Sequence, residues 1–110
     1  MRKDNRTDRE AGGESGGEAG GAAPVTLDRR LDLTAAGPLR ARFLALRGKA
    51  VRVDAGEVAL LGGLCLQILL AAAAAWRDDG RPLRIAPRSA AFDAALASFA
   101  LPLSALEGDA

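Results

Sequence analysis

Residues 50–76 read AVRVDAGEVALLGGLCLQILLAAAAAW. Two patterns meet in this stretch. AVRVD alternates apolar and polar positions with β-branched side chains, as a strand does when Val51 and Val53 share one face and Arg52 points to the other. Residues 60–76 are apolar except for Gln67 and the glycine pair. That run is too long for a strand. It is also too short and too rich in alanine for a membrane span, which needs about 20 strongly apolar residues. It reads as a buried helix over 64–76, opened by Gly62 and Gly63 and stopped by Asp78, Asp79 and Gly80.

The flanks extend the alternation of strand and helix. VTLDRRLDL predicts a short strand over 25–27 and a second around 30–33, with a turn at Asp28-Arg29-Arg30 between them. Thr34 is a suitable helix N-cap, and Pro38 falls in the first turn of the helix that Thr34 would open. Leu39, Phe43, Leu44 and Leu46 recur near helical spacing, so 35–46 is expected to be an amphipathic helix ending at Gly48. PLRIA, over 82–86, is a strand broken by Pro87. Ser89 then caps a helix over 90–99 whose Phe92, Leu96 and Phe99 share one face. The order of elements implies an α/β layer fold with parallel pairings and right-handed crossovers.

The chain has 110 residues, enough for one domain. Residues 1–23 hold six glycines and nine charged residues, with no branched aliphatic and no aromatic side chain. Such a segment buries too little apolar area to offset its ordering entropy, so disorder is expected there. The folding unit is placed at 24–106, with 107–110 as a loose tail. Net charge is +1, far from the dense basic stripe that nucleic-acid binding demands. One cysteine and no histidine leave no disulfide framework within the chain and no His- or Cys-based metal site. The N-terminus lacks the apolar stretch of a secretory signal. Together these point to a cytoplasmic protein with no membrane insertion, no cofactor and no nucleic-acid partner.

Candidate site residues cluster on the long helix. Its first backbone N–H groups point at the Gly62-Gly63 loop, a mild anion site or an ordinary glycine turn. Leu66, Leu69, Leu70 and Ala73 are placed to cover a sheet, while Leu64, Gln67, Ile68 and Ala71 form a second stripe at spacing three and four. A helix apolar all round is either buried or partly covered by a partner. The second stripe therefore either packs on the neighbouring helix or, with Gly62 and Gly63, binds a partner. Cys65 sits in the first helical turn, where the dipole favours a thiolate, but no histidine is available to activate it, and a small buried residue is the simpler reading. Asp54 and Glu57 lie three apart, yet with no nucleophile or metal they read as a strand-end polar residue and a loop charge. Trp76 is read as the edge of the core.

A strand ending in Asp54, then VALLGGLCLQILLAAAAAW, then PLRIA resembles the core of STAS domains (sulfate transporter and anti-sigma factor antagonist), over about 27–99. The variant LGGLCLQ is similar to small STAS proteins found beside chemotaxis components in some bacteria. The resemblance implies a small fold with a mixed four- to five-stranded sheet and helices mainly on one face. In the family a loop of the form Asp-Ser-Ser-Gly-Leu or Asp-Thr-Ala-Gly-Leu starts a helix, and a kinase phosphorylates its hydroxyl to control partner choice. The match places Gly62 on the Asp and Gly63 on the Ser or Thr. This sequence departs there: no Ser, Thr or Tyr occurs anywhere over 35–88. The resemblance implies a non-catalytic interaction domain in bacterial signalling that binds a kinase, a chemotaxis component or an anti-sigma factor. The alternative is a subunit of a lipid-transport ABC complex docked on its ATPase. Neither reading makes the chain an enzyme.

Overall fold

A computed structural model describes residues 21–108. The predicted disorder over 1–23 therefore lies mostly outside the described residues. Among the described residues, five strands and three α-helices follow one another as β1 (Ala23–Thr26), β2 (Arg30–Leu31), α1 (Leu33–Ala45), β3 (Val51–Ala55), β4 (Leu60–Leu61), α2 (Gly63–Asp79), β5 (Leu83–Arg88) and α3 (Ala90–Ser98), then a 3-10 turn at Leu103–Leu106.

The α/β layer expected from the sequence is present, with fewer strands in its main sheet than the resemblance implied. That sheet has three strands in the order β1-β3-β5, all parallel, with Val25 opposite Val53 and Val53 opposite Ile85. The other two strands form a separate parallel pair, Arg30 with Leu60 and Leu31 with Leu61. Among the described residues the one antiparallel pairing is a bridge, Leu83 with Gly108. Burial alternates along β3 and the first half of β5, so Val51, Val53, Leu83 and Ile85 face the helices while Arg52 and Arg84 lie on the open face. Helices thus cover one face of the sheet.

Several boundaries differ from the sequence-based expectation, each for a local reason. Asp32, not Thr34, caps α1: its Oδ1 accepts from the Thr34 N–H at 3.0 Å and from the Thr34 hydroxyl at 2.7 Å. The helix consequently begins two residues early and Pro38 lies inside it, where the Thr34 carbonyl loses its usual donor. Residues 60–61, to which the sequence assigns no strand, form β4, a strand too short to show alternation. Pro87 lies within β5 instead of ending it, at a register shift between Val53 and Ala55 of the neighbouring strand. α2 extends through Asp78 and Asp79 and stops at Gly80, whose φ of 66° is left-handed and suits glycine. Ser89 caps α3 as expected, its Oγ accepting from the Phe92 N–H at 3.0 Å.

Glu107 and Gly108, placed in the tail by the sequence reading, pair with β5. The Leu83 N–H donates to the Gly108 carbonyl at 2.9 Å and the Gly108 N–H donates back to Leu83 at 3.1 Å. Glu107 Oε2 accepts from the Ile85 N–H at 3.0 Å. These residues cover the outer edge of β5, satisfying groups that a bare edge would leave open. Gly108 is buried against α2, so close that a Cβ there would stand 2.7 Å from Trp76 Cβ.

Candidate functional site: the face of α2

The β2–β4 pair fixes where α2 begins. The Leu60 N–H donates to the Arg29 carbonyl at 3.0 Å, and the Gly62 N–H to the Leu31 carbonyl at 3.0 Å. A Cβ on Gly62 would lie 3.1 Å from that same Leu31 oxygen, so the chain passes closely enough to favour glycine. Gly62 is the N-cap of α2 in an extended conformation, and no side chain caps the helix. Gly63 is its first residue and is exposed; a Cβ there would meet nothing nearer than Phe99 Cζ at 4.0 Å. Thr34, at the start of neighbouring α1, carries a hydroxyl, but this donates to Asp32.

Cys65 faces inward with no exposed surface, and its thiol donates to the Asp32 carbonyl at 3.4 Å. Burial pushes the thiol above its ordinary value, and the negative charges of Asp32 and Asp28 push in the same direction. The dipole that would favour a thiolate does not prevail here, which agrees with the reading of a small buried residue.

The two stripes of α2 separate much as the spacing predicts. Leu66, Leu69 and Ala73 are buried, whereas Leu70 is only half-buried. Leu64 is 43% exposed, Gln67 and Ala71 are exposed, and Ile68 is half-buried. These four line a groove of about 320 Å³ between α2 and α1. Gly62 and Gly63 stand at the start of the helix, outside the groove lining.

The opposite wall is not evident from the sequence. It is formed by Arg40, Phe43 and Leu44 of α1, with Arg47 just beyond the helix. Leu44, one of the apolar residues at helical spacing in α1, is 50% exposed. Arg40, Leu44 and Arg47 sit at i, i+4 and i+7, a helical face whose significance depends on knowing where α2 lies.

The groove floor is built on Trp76. The ring is 1% exposed, its Nε1 donates to the Lys49 carbonyl at 2.7 Å, and Phe43 packs edge-on at 5.9 Å between centroids. Arg47 lies over the ring at 5.9 Å and makes a two-point contact with Asp79, at 2.8 and 3.0 Å. This pairing raises Arg47 and holds the Asp79 carboxyl below the usual range.

Elsewhere, Asp54 Oδ1 accepts from the Gly56 N–H at 2.8 Å, the turn-forming role of a strand-end aspartate. No group of three or more potential metal ligands is clustered among the described residues. None of the described helices is long and apolar enough to cross a membrane.

These features define a small α/β layer domain with an apolar groove between its first two helices. The chain belongs to the STAS domain family: a family model described as "Mlab, STAS domain" matches residues 17–102. STAS domains are in general non-enzymatic, regulatory or interaction domains that bind proteins. No curated protein and no solved structure matches the chain.

Proposed function

We propose that this chain is a non-catalytic protein-docking domain in bacterial regulation that seats its partner on the face of α2, without a Ser/Thr switch in the loop before that helix. One observation carries the reading: an apolar helix in a small domain leaves Leu64, Ile68 and Ala71 along a groove instead of burying them. Covering a Leu or Ile side chain fully contributes roughly 1.5–3 kcal/mol, so two such residues matter to affinity. Gly62 and Gly63 supply the helix start but no hydroxyl.

The partner classes in view are a kinase, a chemotaxis component or an anti-sigma factor, with a transporter ATPase as the alternative. Affinity capture with the intact surface and with Ile68→Glu tests the docking face, and the identity of the captured protein distinguishes these classes. Incubation with a candidate partner kinase, followed by mass spectrometry, tests the absence of a switch. Phosphate mapped near Gly62, on Asp54 for example, contradicts it.

A further inference from the structure

The groove between α1 and α2 combines an apolar floor with a cationic rim. Phe43, Leu64, Ile68 and Trp76 supply the floor and walls, Arg40 and Arg47 the charge, and no carboxylate lines it among the described residues. Arg47 is committed to Asp79. Arg40 is exposed and has no ion-pair or hydrogen-bond partner among the described residues. The lining of α2 extends from Leu64 to Trp76, roughly 18 Å at 1.5 Å per residue, or about three helical turns.

Three occupants present themselves. Residues 1–20 of this chain hold no branched aliphatic and no aromatic side chain, so they have nothing to fill an apolar groove. A second copy meeting groove to groove would bring its own unpaired Arg40 toward this one, like charge on like. A partner helix with an apolar ridge and acidic flanks fits both the floor and the rim.

Resting on the docking reading above, we propose that the α1–α2 groove receives an amphipathic helix of a partner protein, with apolar anchors directed at Leu64 and Ile68 and a flanking carboxylate paired with Arg40. The carboxylate selects the partner and speeds its approach, while the apolar anchors hold it.

The test titrates the full chain with two synthetic helical peptides sharing one leucine ridge, one flanked by glutamates and the other by lysines. Affinity is read by calorimetry and location by methyl shifts of Leu64 and Ile68. The expected result is at least about tenfold tighter binding of the glutamate peptide at low salt, an advantage that shrinks as salt screens it. Arg40→Glu, at an exposed position, should leave the melting temperature unchanged and reverse the preference. Equal binding of both peptides at the Ile68 methyls overturns the acidic-partner inference and leaves the docking face standing. Shifts elsewhere, or no binding by either peptide, overturn both. A dimer that dissociates on Ile68→Glu overturns the proposal in favour of a second copy.

Discussion

Gly63 opens α2 on its exposed side, and the structure leaves room there for a side chain. A Cβ there stands 4.0 Å from Phe99 Cζ, ordinary contact, and nothing else is near. Gly63→Ser should therefore fold normally, with stability equal to or up to about 1 kcal/mol above wild type, because glycine in a helix carries excess unfolded-state entropy. Gly62→Ala should instead lower the melting temperature, since its Cβ must press the Leu31 carbonyl. Thermal unfolding of the two variants compares these sites directly. Cys65 gives a third check at this scale. It is fully covered and its thiol is held above the ordinary range by burial, so iodoacetamide should label it only as the protein unfolds. Rapid labelling of the native chain would contradict the burial.

α2 does two tasks with two stripes, and substitutions should separate them. Ile68→Glu puts a charge on a half-buried position and should leave the fold largely intact, as circular dichroism would report, while abolishing partner capture. Global unfolding of that variant would mean that Ile68 belongs to the core. The C-terminal strap makes the opposite prediction. Gly108→Ala forces a methyl to within 2.7 Å of Trp76 Cβ and 3.2 Å of the Ala73 carbonyl. It should cost about 1–3 kcal/mol in chemical denaturation, the usual penalty for overpacking.

Legibility follows periodicity. α2 and β3 are readable because seventeen helical and five strand residues each give a pattern room to repeat. β2 and β4 have two residues apiece, and no period shows in two residues. Leu64, Gln67, Ile68 and Ala71 can be found because one helix spaces them. Arg40 and Arg47 cannot, because the groove is a relation between two helices and a single helix's spacing does not contain it. Glu107 and Gly108 read as a tail because a single bridge leaves no signature in sequence.

For the molecule as a whole, two carboxylates held below their ordinary value contribute to its response to acid. Asp32 is held low by the Thr34 hydroxyl hydrogen bond, and Asp79 by Arg47. A carboxyl that titrates lower when folded than when unfolded binds fewer protons in the native state. Its stabilisation is complete above the ordinary value of 3.8 and is lost as pH falls through the lowered folded value. Asp79 is exposed and Asp32 half-buried with solvent contact, and screening keeps each effect small. Asp79→Asn should lower the melting temperature slightly at neutral pH and not at all well below the carboxylate range. An equal deficit at both ends would assign the role of Asp79 to packing.

The molecule's architecture places two helices side by side over one sheet face, with both helix starts held by the β2–β4 pair. Its outer groove stays open, and docking there is the claim on which the rest depends. Quantitative affinity capture with wild type and Ile68→Glu, matched in melting temperature, measures it most directly. A partner retained by wild type and lost by the variant is the predicted result; the same partner retained equally by both would contradict the account.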